Sequence, residues 1–238
     1  HIVLFSRDQS IQNKIKAFNW GGELKGTDRD FLSIVNTNLG GTKTDRAMER
    51  TINLTTEVAE NGKLTNTITY EVNNPLPNQG GLNNLSFLRF YVPEGSQFVS
   101  SEGFNTDIQL PMHSTAGFTN DPSITAWQKE VSQNTSTGTY IGKEAGKTWY
   151  GNWLNVPGGQ KKTVTITYTL PFKLDSVDRH SLLLQKQPGS MDDNFRYVVK
   201  HPGWTNLWSS NSAVTDQGEL RFEQPLTADV FVGAVLKK

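Results

Sequence analysis

Lys161-Lys162-Thr163-Val164-Thr165-Ile166-Thr167-Tyr168-Thr169-Leu170 alternates polar and apolar side chains from Thr163 to its end. A second run, Lys63–Val72, repeats the pattern, and its Thr67-Ile68-Thr69-Tyr70 is a near-copy of Thr165-Ile166-Thr167-Tyr168. In the first run Val164, Ile166, Tyr168 and Leu170 face one way and the four threonines the other. In the second, Leu64, Ile68, Tyr70 and Val72 alternate with Thr65, Thr67, Thr69 and Glu71. Period two over ten residues marks a strand with one buried and one wet face, as in antiparallel sandwiches. The fold class read from these runs is mainly β, with exposed faces covered by threonine.

Working outward, Asn61-Gly62 separates Lys63–Val72 from the strand-like Thr51–Ala59. Both residues tolerate positive φ, so the pair predicts a type I′ hairpin. Leu85–Val92, Gln97–Ser100, Ile124–Val131, Thr139–Lys143, Thr148–Val156, His180–Gln187, Phe195–Lys200, Glu219–Phe222 and Asp229–Leu236 also read as strands, and Gly203–Gln217 as an irregular loop. Short strands about 8–12 residues apart, with Gly, Pro and Asn turns, indicate an immunoglobulin-like antiparallel β-sandwich. The first 45 residues differ. His1–Phe5 is strand-like, Asp8–Trp20 sets Ile11, Ile15 and Phe18 on one helical stripe, Gly21-Gly22 supplies a stop, and Phe31–Val35 reads as a buried strand. The expected organisation is a β-α-β remnant of an α/β domain over 1–45 and a β-sandwich over 46–172. Residues 173–238 are a β unit that completes the sandwich or forms a second small sheet.

Charge is balanced at 23 basic and 23 acidic residues, against the basic excess of a nucleic-acid binder. No segment approaches the run of about 20 apolar residues that spans a membrane. Cysteine is absent, which removes disulfides and thiolate metal sites. Threonine (25) and asparagine (20) together nearly equal the charged residues in number, a composition that reads as extracellular. His1-Ile2-Val3 resembles the middle of a strand, so the chain is expected to be a piece of a longer protein.

Catalytic patterns are thin: no nucleophile elbow, no zinc spacing, and histidines 1, 113, 180 and 201 scattered as surface or structural residues. The expectation is a non-enzyme without cofactor or metal. Asn36, Asn38, Gly40, Gly41 and Lys43 form a glycine-bearing stretch that either cradles an anion or makes a plain crossover. The acidic loop Ser190–Asn194 reads as a solvated hairpin tip in preference to a calcium site. Trp149 and Trp153 share one face of their strand, with Tyr150 opposite, and serve either as core or as a sugar-stacking platform. Trp204 and Trp208, on one loop, leave the same two readings open, and both are candidate binding residues. Asn53, Asn84 and Asn134 occur in Asn-x-Ser/Thr triplets.

Trp20-Gly21-Gly22-Glu23-Leu24, Asp30–Asp45 and the strand carrying Arg50 resemble the C-terminal half of the bacterial family known as domain of unknown function 4012. Tyr91–Ser96, Val156–Gly159, Tyr168–Pro171 and Leu184–Gly189 resemble its later landmarks. The resemblance implies a surface protein carried outside the cytoplasmic membrane by an N-terminal anchor missing here, and assigns no catalytic residue. The function expected is a non-enzymatic, extracellular cell-surface region with a structural, adhesive or assembly role, whose partners are other protein copies or cell-envelope material. The alternatives are a glycan-binding module and an accessory domain of an envelope glycan-processing protein.

Overall fold

The computed structural model describes residues 3–39, 43–78, 80, 82–108, 119, 121–127, 131–191, 193–210, 214–216 and 218–238. Its strands are β1 (Asp30–Asn38), β2 (Glu49–Val58), β3 (Lys63–Asn73), β4 (Asn84–Pro93), β5 (Gln97–Glu102), β6 (Ser132–Gln133), β7 (Tyr140–Glu144) and β8 (Lys147–Val156). They continue as β9 (Lys161–Lys173), β10 (Val177–Gln185), β11 (Asn194–Lys200), β12 (Thr205–Ser209), β13 (Val214–Asp216), β14 (Glu219–Pro225) and β15 (Val230–Lys237). Among the described residues two short α-helices occur, α1 (Gln9–Ala17) and α2 (Pro122–Trp127), besides a 3-10 turn at Thr44–Ala47.

The chain is mainly β, in one sheet of order β12-β15-β10-β1-β4-β8-β7-β6 and another of order β13-β14-β11-β2-β3-β9-β5. One buried cluster draws Leu32, Phe90, Tyr150, Leu182 and Val232 from the first sheet and Leu54, Ile68, Tyr168, Phe195 and Leu220 from the second, so the sheets pack face to face. The founding runs behave as their periodicity requires. β3 and β9 pair antiparallel with Thr67 opposite Thr167, and Tyr70 and Tyr168 are buried. Their threonines face out, and the Thr67 and Thr167 hydroxyls meet at 3.2 Å across the ladder.

Other expectations are corrected. The sheets are mixed, because β1 runs parallel to β10 and β2 parallel to β11. Parallel pairs need long crossovers, and period two is silent about strand direction. Of the expected β-α-β unit, residues 3–6 form no strand, and β1 lies inside the eight-stranded sheet between β10 and β4. Ile124–Val131, expected as a strand, includes the end of α2, whose start is fixed by Pro122 and by an Asp121 carboxylate accepting from the Ser123 amide. The Trp-containing loop is largely strand, in β12 and β13.

Helix α1 forms where expected, with Asp8 capping the Ser10 and Ile11 amides, and the Ser10 hydroxyl donating to the same carboxylate, first among these bonds, holds it below the usual range. It stops earlier than the glycine pair. Asn19 takes φ 58°, and the Asn19 and Trp20 amides return to the Lys16 and Ile15 carbonyls, a Schellman arrangement. Its stripe does not dock as a unit. Ile15 is buried, but Ile11, Phe18 and Trp20 are more than half exposed, and Phe18 stacks on Trp20.

The β2–β3 turn is also not type I′. Among its residues only Gly62 has positive φ, and its amide donates to the Ala59 carbonyl at 2.9 Å. This is a type I turn followed by a left-handed residue, a hairpin that also matches strand twist. A Cβ on Gly62 would lie 2.2 Å from the Leu174 carbonyl oxygen. Gly62→Ala is therefore expected to lower unfolding stability by about 2–3 kcal/mol, from backbone strain and displacement of Leu174. Urea denaturation checks this, and an unchanged midpoint contradicts it.

Candidate functional site

The two outer faces of the sandwich differ. That of the seven-stranded sheet carries the threonines. That of the eight-stranded sheet carries a second apolar layer, correcting the expectation that exposed faces are threonine lawns. Phe31, Tyr91 and Trp149 are buried there, with Leu24, Val35, Phe87, Tyr140 and Leu183 packed around them. Strand alternation sets these residues opposite the core set: on β8, Trp149 faces out while Tyr150 is fully buried in the core. Gly142 on β7 makes room for the Trp149 indole, since a Cβ there would lie 2.5 Å from its ring. Arg89 lies over both the Phe87 and Trp149 rings, at 5.7 and 5.0 Å, and with the Tyr91 hydroxyl meets Glu144.

The layer continues toward the β12 edge. Leu183 is opposite Phe31 on one side and Phe231 on the other. Trp208 covers the next position of β15, its ring 3.7 Å from where a Gly233 Cβ would stand. Phe231 (68%) and Trp208 (55%) are exposed, as is Leu207 beside the bulge in β12. β15, apolar on both faces, thus runs between β12 and β10 with Phe231 open to solvent.

The four candidate tryptophans have separate fates. Trp149 is buried in the outer layer, and Trp153 is half-buried against Phe87, edge to face at 5.1 Å. Trp204 enters the main core and donates its indole N–H to the Ala59 carbonyl at 3.2 Å, while Trp208 remains outside. The expected Trp204–Trp208 pair is therefore split. Asn36 and Asn38 belong to β1, Lys43 is exposed at φ 54° before a 3-10 turn, and Gly40 and Gly41 lie outside the described residues. Asn36 exchanges hydrogen bonds with Gln187 and accepts from the Tyr70 hydroxyl at 3.1 Å. The acidic loop is no free tip, because Asp193 is buried and sits 3.8 Å from Arg50. Asp192 lies outside the described residues. Of the glycosylation triplets, Asn84 is buried and donates to Thr44 and Asp45.

One group of residues escaped the sequence reading. Between the sheets, Asp30, Thr56, Asn66, Tyr168, His180 and Tyr197 are all buried and joined. The Asn66 amide donates to Asp30 Oδ2 at 2.8 Å and to the Tyr168 oxygen at 3.0 Å, and its carbonyl accepts from the Thr56 hydroxyl at 2.6 Å. Tyr197 reaches Thr56 at 2.9 Å and His180 Nε2 at 2.5 Å. A proton assigned to Nε2 of a neutral His180 makes a one-way donor chain through Tyr197 and Thr56 to Asn66. Burial pushes the Asp30 carboxyl up to about 7, offset in part by Asn66 and the Phe31 amide. Burial, with Arg29 nearby, brings His180 down to about 4. The signal was available: Asn66 and Thr56 occupy inward positions of alternating strands. His201 is also buried, with Nδ1 on the Trp204 carbonyl, while His1 and His113 lie outside the described residues.

No helix among the described residues is long and apolar enough to cross a membrane. No family model and no curated protein matches the sequence. Among solved structures the chain is similar to a Legionella pneumophila protein described as a candidate nutrient binder, with 10% identity and a TM-score of 0.43 over 88% of this chain and 71% of that one. It is also similar to an M1 zinc metallopeptidase of Deinococcus radiodurans, with 9% identity and a TM-score of 0.29 over 80% of this chain, which spans 42% of the peptidase. Likenesses of this degree carry no argument about function.

Proposed function

We propose that the chain is a non-enzymatic, extracellular region of a bacterial cell-surface protein, held to the membrane by an anchor elsewhere in that protein, and that it works by contact. Its partners are other protein copies or envelope material. The observation that carries this reading is the open apolar surface of Trp208 and Phe231, continuous through Leu183 with the outer aromatic layer. Contiguous exposed apolar surface marks interaction sites in soluble proteins. The kinship with domain of unknown function 4012 and the immunoglobulin-like description of the sandwich belong to the same proposal. The second is supported by antiparallel pairing in all the described ladders but two.

A Trp208→Ala, Phe231→Ala double variant tests it. Crosslinking yield, or retention on bacterial envelope fractions, is expected to fall at least tenfold while the thermal midpoint changes little. A monomer whose retention is the same with and without these residues refutes the contact reading. The half-buried Trp153, edge to face on Phe87, which in turn meets Tyr140, supports a second reading, a glycan-binding module. Glycan binding lost in Trp153→Ala but kept in the double variant would favour that reading.

A further inference from the structure

Six of the exposed large apolar side chains among the described residues, Val3, Leu4, Phe5, Ile11, Phe18 and Trp20, fall within eighteen positions around α1. The fold gathers them into one patch. The Leu4 amide donates to the Trp20 carbonyl at 2.9 Å and the Ser6 amide to Gln12 Oε1 at 2.8 Å, so residues 3–6 run beside α1 and the turn after it. Val3 reaches the same turn, where a Cβ on Gly22 would lie 3.1 Å from its Cγ2. Phe18 stacks on Trp20 with ring centroids 5.2 Å apart. Ile11 and Phe18 share one helical stripe, on either side of the buried Ile15. Phe5 is 79% exposed. Apolar surface gathered at this density marks a place where something else binds.

Charge around the patch selects what covers it. Residues 3–25 carry Arg7, Lys14, Lys16 and Lys25 against Asp8 and Glu23, in a chain whose total charge is balanced. Lys16 pairs with Glu23 at 2.9 Å and Lys25 with Asp229 at 2.6 Å, while Asp8 is committed to the cap of α1. Arg7 and Lys14 are exposed and meet no carboxylate among the described residues. Lys14 follows Ile11 by three positions and precedes Phe18 by four, so it borders the apolar stripe. A second copy of the chain would bring the same cations to a self-complementary interface, where like charges repel. Apolar side chains flanked by Lys and Arg, with Trp and Phe among them, instead match the surface of an anionic bilayer. There the rings enter the headgroup boundary and the cations stay at the phosphates. At nine residues α1 is about 13 Å long, so it can lie on such a surface and not cross it.

We propose that α1 and the flanking residues 3–6 and 18–20 bind an anionic phospholipid surface, into which Phe5, Ile11, Phe18 and Trp20 insert. This contact goes beyond the one through Trp208 and Phe231 and uses neither residue. The test is flotation of the full chain with vesicles of phosphatidylcholine alone and of an equal mixture with phosphatidylglycerol. Saturable binding to the mixed vesicles is expected, at least tenfold tighter than to the neutral ones. A Phe18→Ser, Trp20→Ser double variant, changed only at exposed side chains, is expected to bind them at least tenfold more weakly with its thermal midpoint in place. Arg7→Gln, Lys14→Gln is expected to weaken binding to the mixed vesicles about tenfold and leave binding to neutral vesicles unchanged. Trp208→Ala, Phe231→Ala is expected to bind like the wild type. The proposal fails if mixed vesicles do not float the chain, if neutral vesicles bind as tightly, or if Phe18→Ser, Trp20→Ser binds like the wild type. It fails also if light scattering shows a dimer that this variant dissolves, because a second copy is then the occupant.

Discussion

Asn66→Ala is expected to cost about 3–5 kcal/mol of unfolding stability, far more than the loss of a small polar side chain from a strand surface. Asn66 sits fully buried between the sheets and serves three partners: it donates to Asp30 and Tyr168 and accepts from Thr56. Truncation takes a partner from each in a medium that cannot hydrate them, leaving Thr56 only Tyr197 and Asp30 only the Phe31 amide, and each unmet buried bond costs about 1–3 kcal/mol. Because the same amide touches β1, β2 and β9, the loss loosens sheet-to-sheet packing as well as one ladder. Urea denaturation of the variant should show a lower midpoint at an unchanged slope. Thr67→Ala, on the outer face of the same strand, should stay within about 0.5 kcal/mol of wild type. Equal effects at the two positions would mean that the polar cluster is not holding the sheets together.

The second large effect is in pH dependence, where two buried groups oppose each other. Asp30 has a folded pKa of about 7 against an ordinary value of 3.8. Its folded state holds the proton more tightly, so its contribution is full below pH 3.8 and is lost as pH rises to 7, by about 4 kcal/mol in total. His180 has a folded pKa of about 4 against an ordinary 6.5. Its unfolded state takes the proton first, so stability is lost as pH falls from 6.5 to 4, by about 3 kcal/mol. Between pH 4 and 6.5 the two slopes have opposite sign and similar size. The contribution of this pair in wild type should therefore be nearly flat there. Asp30→Asn should expose the histidine slope, with stability rising by about 3 kcal/mol from pH 4 to 6.5. His180→Gln should expose the opposite slope, falling by about 4 kcal/mol from pH 4 to 7. Chemical denaturation of the three proteins at pH 4, 5, 6 and 7 measures all of these differences. Parallel curves for all three would show that neither group titrates as its burial demands.

The division between what sequence and tertiary structure decided follows the range of each signal. Side-chain direction along an extended chain is local geometry, so Thr163–Leu170 and Leu64–Val72 by themselves placed Tyr168, Ile166, Ile68 and Tyr70 inward. Likewise the spacing of Ile11, Ile15 and Phe18 announced α1. Which strands become neighbours is nonlocal, and nothing in β1 or β2 says that β10 and β11 will run parallel beside them. The same distance separates the sequence from the sites. Asn66 was visible as a polar residue in an inward position, but its partners Asp30 and Tyr168 are 36 and 102 residues away in the chain. Trp204 and Trp208 are equivalent in composition and four residues apart. Only the docking of the His201–Trp204 turn against Ala59, and of β12 along β15, buries one and exposes the other. The apolar stripe of α1 likewise predicts a helix but not a surface to receive it, and the fold covers Ile15 alone of its apolar residues. Local periodicity thus determined which residues form strands and which way they face, while burial and pairing were decided by what the rest of the chain brought alongside.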